Sequence, residues 1–340
     1  MKVTFLAPNA GDPGTFYDIF GDLLRVAARQ LHVELEVVDG AKQRETMLAR
    51  GREIVTASSR PDYVLLVNYM GVGPELLALN AAGGVGTFFV VEGLSAGELG
   101  TVGTGGGKAA GYLGQIVPDD VEAGRMLADI LTSAARARGL ADKAGRVQVG
   151  AIAGEHTHAG NARFRGWQSV VKEHADVVQA GFRYGTWEEE PAKAVAELML
   201  RAAPQISVLW CANDAMALGA LAAAVEAGRR PGQDVLIGGI DLVNRALAEV
   251  AAGQLEVSIG GHLVDGVRAL MLLHDHHQRR DLTPEDRTTH FVAVRAPQAD
   301  RYLKFTKERA WHNVDFTRFS RLRNPNARDA DLSLEGIMAG

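Results

Sequence analysis

The sequence predicts an α/β protein built of two similar doubly wound parallel-sheet lobes. Apolar runs alternate with segments of helical spacing, the alternation passes along the chain twice, and 340 residues exceed what one hydrophobic core usually fills. The apolar runs lie at Val3 to Ala7, Leu35 to Val38, Tyr63 to Val67, Gly86 to Val91, Gln148 to Ala153, Val177 to Ala180, Ser207 to Cys211 and Val235 to Gly238. Each reads as a strand buried on both faces. Between them Phe20, Leu23, Leu24, Ala27 and Leu31, and later Val195, Leu198 and Met199, recur at the spacing of one helical face. Strand and helix in alternation imply right-handed crossovers and parallel sheets, whose ligands sit beyond the carboxyl ends of the strands.

The first pass ends near Leu94, the glycine-rich stretch Gly97 to Gly107 interrupts it, and the second starts near Gly145. Asp119 and Asp120 precede a helical stretch, Glu122 to Ala135, where their charge complements the positive end of the helix. Residues 300–340 are polar and basic without a clear period, and read as a tail wrapping the surface rather than a third domain.

With 47% hydrophobic and 23% charged residues and 39 glycines, the composition is that of a globular chain with many tight turns. A net charge of -5 and the lack of a long Lys/Arg run argue against nucleic acid as a partner. Cys211 is the single cysteine, so neither an intrachain disulfide nor a Cys-based metal cluster can form. Apolar stretches such as Ala220 to Val225 are too short to span a bilayer, and no direct membrane insertion is expected. The first strand-like run starts at Lys2 with no apolar leader before it, which fits either a cytoplasmic chain or one whose signal peptide has been removed.

Catalytic motifs fail on spacing. In GTVGTGGGK, residues 100–108, Val102 stands where a phosphate loop needs glycine and Ala109 where it needs Ser or Thr, so the run reads as a mobile surface loop. His156 and His158 are two apart, and His274, His276 and His277 end a helix-like stretch; neither group has the i, i+4 spacing of a helical metal site. Cys211 lies inside an apolar run and reads as a buried, inert thiol, and no G-x-S-x-G elbow is present. No cofactor, metal or catalytic residue is expected. An α/β sugar- or nucleotide-modifying enzyme is the alternative of another class, and it lacks a nucleophile, a metal site and a phosphate loop.

The stretch VLWCANDAMALGALAAAVEAGRRPGQDVLIGGID, residues 208–241, resembles the type I periplasmic binding protein family, the fold shared with the core of Lac-repressor-type regulators and ribose-binding receptors. In that family a strand ends in Asn-Asp, the next helix begins Ala-Met-Ala-Leu-Gly and the following strand ends Gly-x-Asp. NARFRGW, residues 161–167, is similar to the family's Arg-x-x-Gly-Phe/Trp at the first helix of the second lobe. PNAGDPGTFYDIF resembles the loop after the first strand, whose aromatic residues stack on a sugar ring. YLGQIVPDDVEAG and SIGGHLVDG look like the first and second chain crossings, with a third near His290, so the resemblance implies a three-segment hinge.

The resemblance assigns 1–117 plus 261–291 to the first lobe, and 118–260 plus 292–340, tail included, to the second. It implies a receptor that closes around a small polar ligand, a sugar or sugar-like molecule, and is read by a membrane ABC permease or a sensor protein. Such a receptor is monomeric and periplasmic. Its ligand contacts would be Phe16, Tyr17, Asn68 and Glu92 from the first lobe, and Arg163, Trp187, Asn213 and Asp241 from the second. Asp119 and His262 would join them on the hinge side, and Arg165 competes with Arg163.

Two departures bear on the ligand: Glu92 stands where relatives carry an amide or Asp, and Gly261 where ribose-type receptors present Gln. A carboxylate accepts hydrogen bonds but cannot donate them, which suits a hydroxyl-rich or amine-bearing ligand. A same-fold receptor for a signal or a less polar metabolite is the alternative within the family. A repressor would need a DNA-binding helix-turn-helix ahead of the first strand.

Overall fold

The computed structural model describes residues 1–9, 12–102, 109–279, 286–327 and 332–339. In chain order the strands are β1 (Lys2–Ala7), β2 (Glu34–Asp39), β3 (Tyr63–Leu66), β4 (Gly86–Val90), β5 (Tyr112–Pro118), β6 (Val147–Ala153), β7 (Val177–Tyr184), β8 (Val208–Cys211), β9 (Leu236–Ile240), β10 (Val257–Gly260), β11 (Arg287–Thr289) and β12 (Val292–Val294). The helices are α1 (Phe16–Gln30), α2 (Arg44–Thr56), α3 (Gly73–Ala82), α4 (Ala96–Val102), α5 (Asp120–Ala137), α6 (His158–Glu173), α7 (Glu189–Ala202), α8 (Asp214–Glu226), α9 (Asn244–Ala251), α10 (Asp265–Gln278), α11 (Ala296–Lys307) and α12 (Leu334–Ala339).

These elements form two six-stranded sheets, ordered β11-β5-β4-β3-β1-β2 and β12-β10-β9-β8-β6-β7. Every pairing is parallel except β12 against β10. The strand order reverses at β1/β3 in one sheet and at β6/β8 in the other, the switch points where doubly wound sheets open a crevice at their carboxyl ends. Central strands carry the apolar runs because helices cover both faces: all four residues of β3 and of β8 are buried. The edge strands β2 and β7 differ from the sequence expectation. They lack a neighbour on one side and, apart from the buried Val177 of β7, consist of exposed and half-buried residues instead of being buried on both faces.

The chain divides into two compact units: Met1–Pro118, His262–Thr289 and Arg309–Gly340 form the first, and Asp119–Gly261 with His290–Glu308 the second. The chain therefore passes between units at three places close to the expected crossings and at a fourth, Glu308 to Arg309. The fourth crossing corrects the expected assignment of 292–340 to the second lobe. α11 packs on α9 of the second unit, but Arg309 then pairs with Asp18 and Asp22 of α1, and Trp311 and Phe316 bury their rings in the first unit. The tail is thus built into a core. Of the glycine-rich stretch, residues 97–102 belong to α4, and residues 103–108, where the mobile-loop reading falls, lie outside the described residues.

Candidate ligand-binding site

In the second unit the carboxyl ends of the strands gather four of the expected residues. Arg163 lies on α6, which packs along α5 because each helix carries a glycine at the contact. A Cβ on Gly124 would run into the Arg163 carbonyl, and one on Gly166 into the Val121 carbonyl. That close approach brings Arg163 to Asp120 in the first turn of α5. Its Nε donates to Asp120 Oδ1 at 2.8 Å and its Nη1 to the Ala212 carbonyl at 2.7 Å, and neither bond uses Nη2. Nη1 also lies 3.6 Å from Asp241 Oδ1, and the guanidinium sits 5.5 Å from the centroid of the Trp187 ring. Burial alone would lower the pKa of this arginine, but Asp120 and Asp241 outweigh it and hold it above its ordinary value.

Trp187 follows β7 in a turn where Thr186 and Trp187 both take positive φ, and its indole lies against Gly154 at the end of β6, where any Cβ would overlap the ring. Asn213 caps α8. Its Oδ1 accepts from Met216 N at 2.9 Å and its Nδ2 donates to the Trp187 carbonyl at 3.2 Å, so the amide ties two loops together. Asp241 ends β9 with φ 134°, a region that L side chains rarely adopt, and Leu242 follows at φ 59°. Strain of this kind concentrates at functional turns.

Two acids escaped the sequence reading. Asp120 reads locally as a helix-dipole residue, and nothing in sequence announces its partner 43 residues away. Asp214, completely buried, accepts from Ser258 Oγ at 2.8 Å and from Val243 N at 3.0 Å. Burial, and then the charge of Asp241, push its carboxyl up to about 8 against these hydrogen bonds. The Asn-Asp pair at 213–214 was the available signal, since an acid just inside a helix after a buried strand has little access to water.

Asp119 directly precedes Asp120. It caps α5 through Glu122 N at 2.9 Å, and its carboxylate, Glu122 and His290 bring three potential metal-ligand atoms within 4.8 Å of one another. His290 Nδ1 is 3.0 Å from Glu122 Oε2.

In the first unit Phe16, Tyr17 and His262 come together. Phe16 opens α1 and stacks on His262, with centroids 4.6 Å apart and planes 20° apart; Tyr17 meets Phe16 edge-on at 5.2 Å. His262 is buried in the turn before α10. Beneath that turn Asp265 bonds Thr289 and Arg268, and burial raises its carboxyl to about 6 against those two groups and His262. Asn68 and Glu92 meet through the backbone, Asn68 N donating to the Glu92 carbonyl at 2.8 Å. The Asn68 amide serves the fold: Nδ2 donates to the Gly93 carbonyl and to Glu98, and Oδ1 accepts from Gly73 N at 2.6 Å, where α3 begins. Val91, at φ 66°, makes the tight turn that carries Glu92 past the end of β4.

Two mostly parallel sheets, each with a switch point whose strand ends carry aromatic and charged side chains, define the class of two-lobed solute-binding proteins. The chain belongs to the periplasmic binding protein domain family, whose profile matches residues 5–271. It is a binding protein and not an enzyme, as that family implies. It is similar to a periplasmic sugar-binding protein from Pseudomonas fluorescens, with 30% identity, 96% of each chain covered and a TM-score of 0.85. It is also 29% identical over 179 residues to the D-allose-binding periplasmic protein of Escherichia coli (strain K12), a match over 52% of this chain and 57% of that relative's length. The periplasmic component of the arabinose ABC transporter from Shewanella sp. ANA-3, solved with α and β-L-arabinofuranose, shares the fold at 19% identity, 92% and 98% coverage and a TM-score of 0.77. Among the described residues no helix is long and apolar enough to cross a membrane.

Proposed function

We propose that this chain is a monomeric periplasmic receptor that binds a small polyhydroxylated molecule, a sugar, and delivers it to the permease of an ABC transporter. The arrangement of Arg163 carries the reading: Asp120 and the Ala212 carbonyl hold the guanidinium, with the Asp241 carboxylate and the Trp187 ring alongside. A sugar hydroxyl both donates and accepts; the guanidinium supplies donors, the carboxylate accepts, and an indole covers a face of C–H bonds. In the first unit Phe16, Tyr17 and His262 offer an aromatic surface, and Glu92 a second carboxylate. The description of one relative as sugar-binding, and the D-allose and L-arabinofuranose named for the other two, support the same class of ligand.

A thermal-shift screen against pentoses, hexoses, polyols, amino acids and apolar metabolites tests it. Ligand at about 100 times its dissociation constant adds roughly 2.7 kcal/mol, a shift of a few degrees. A sugar or polyol should shift the wild type and fail to shift Arg163→Ala and Asp241→Ala. A shift from an apolar compound alone would overturn the sugar assignment.

A further inference from the structure

We propose that the C-terminal segment from Arg309 onward is a positioning strap for the aromatic pair Phe16 and His262, with Arg309 and Trp311 as its positioning residues. The proposal rests on the reading of that pair as part of the ligand site. The segment lies beyond residue 271, where the family match ends, and it departs from the second unit at Glu308.

The strap grips α1 at both ends. At the start, Arg309 Nη2 donates to Asp18 Oδ2 at 2.9 Å and Nη1 lies 3.0 Å from Asp22 Oδ2. Trp311 Nε1 donates to the same Asp22 oxygen at 2.9 Å, and His312 Nε2 is also 2.9 Å from it. Asp18 in turn accepts from Gly14 N at 2.9 Å, so the carboxylate held by the strap also fixes the loop leading into Phe16. At the far end Gln30 donates to the Val314 carbonyl and accepts from Phe316 N, both at 2.8 Å.

The same segment holds the partner ring. Ser320 Oγ and Arg321 N donate to the buried Asp275 of α10 at 2.6 and 2.7 Å, and α12 packs on the turn His262–Val264 that precedes that helix. Both elements that carry the stacked rings are therefore braced by C-terminal residues: 309–316 hold α1, and 320–321 with α12 hold α10 and the turn before it. Burial raises the Asp22 carboxyl, but the donors from His312, Trp311 and Arg309 outweigh it and leave its pKa below the ordinary value, which agrees with a carboxylate kept ionised by the strap.

A purely structural tail would serve through its buried rings, Trp311 and Phe316, whereas the Arg309 side chain is 42% exposed and adds little to any core. The test therefore uses the double variant Arg309→Ala/Trp311→Phe in the full chain, which keeps an aromatic ring at 311, removes the Arg309 and Trp311 donors to Asp18 and Asp22, and leaves His312 beside Asp22. Hydrogen exchange of the ligand-free protein should accelerate about ten-fold at residues 16–22 and 262–264 while β3 and β4 exchange as in wild type. The variant should also bind D-allose several-fold more weakly than wild type. Arg309→Lys, tested alone against Arg309→Ala, should recover part of the protection.

Acceleration confined to residues 309–316 would overturn the strap. Faster exchange at 16–22 and 262–264 combined with Phe16→Ala binding D-allose as wild type does would instead overturn the ligand-site reading on which the proposal rests.

Discussion

Arg163 Nε and Asp120 Oδ1 lie 2.8 Å apart, and both side chains are more than nine-tenths buried. The pair joins the first turn of α5 to α6 and fixes the plane of the guanidinium, so the direction of Nη2 is set before any ligand arrives. Preorganisation of this kind reduces the entropy a receptor loses on binding.

Breaking one side of such a pair leaves an uncompensated buried charge, which typically costs about 3–5 kcal/mol. Asp120→Ala is therefore expected to destabilise the protein by roughly that amount and to weaken sugar binding, although Asp120 itself needs no contact with the ligand. Asp120→Asn keeps an acceptor opposite Nε and should recover much of the stability. The double variant Asp120→Ala/Arg163→Ala should lose less than the sum of the single losses, because the stranded charge is gone; denaturant melts of the four proteins measure this.

Asp214 makes stability depend on pH with a definite sign. Its carboxyl ionises near 8 when folded and near 3.8 when exposed, so between those values the folded state keeps a proton that the unfolded chain has released. Stability should fall as pH rises through this window, by at most about 1.4 kcal/mol per pH unit at 25 °C, and the contribution should level off above pH 8. Asp214→Asn, isosteric with the protonated acid, should remove that slope. Urea midpoints at pH 5, 6, 7 and 8 decide it through the difference between the two proteins; parallel curves would mean that Asp214 is ionised throughout.

What could be read in the sequence divides along physical lines. The central strands were legible because helices cover both faces and leave continuous apolar runs, as in Val208 to Cys211. β5 was read only as a crossing because buried and half-buried residues alternate along it, and β11 and β12, three residues each, have no period to detect. The tail was assigned to the wrong unit because Arg309 and Trp311 find their partners, Asp18 and Asp22, on α1 at the other end of the chain. Among the candidate site residues, Arg163, Asp241 and Trp187, named through the resemblance, come together in the second unit. The amides of Asn68 and Asn213 could not be judged from sequence, because whether an Asn side chain faces a ligand or ties down its own loops depends on backbone groups that sequence does not place.

Gly124 shows how a residue without a side chain can control the site. A Cβ there would overlap the Arg163 carbonyl, and backbone on backbone leaves no flexible neighbour to yield. Gly124→Ala must separate α5 from α6, with an overpacking cost of about 1–3 kcal/mol, despite the better helix propensity of alanine. Since the displacement falls between Asp120 and Arg163, sugar affinity should drop together with thermal stability. Gly139→Ala, at a position open to solvent on the same unit but with φ 70°, should cost stability without changing affinity. Calorimetric titration of both variants makes the comparison.

Cys211 supplies an internal probe of opening in the second unit. It ends β8 beside the Asn213 turn, its side chain is fully buried, and burial with the nearby Asp214 pushes its thiol well above the ordinary range. Only the thiolate reacts with disulfide reagents, so the native protein should be inert at pH 8 and one thiol should appear on denaturation. Under native conditions the labelling rate then reports how often β8 becomes exposed. If Arg163 on α6 and Asp241 at the end of β9 bind the sugar, saturating ligand should slow labelling in proportion to its effect on opening, and Arg163→Ala should abolish that protection. Labelling that is fast in the folded protein would show instead that the strand ends open without unfolding.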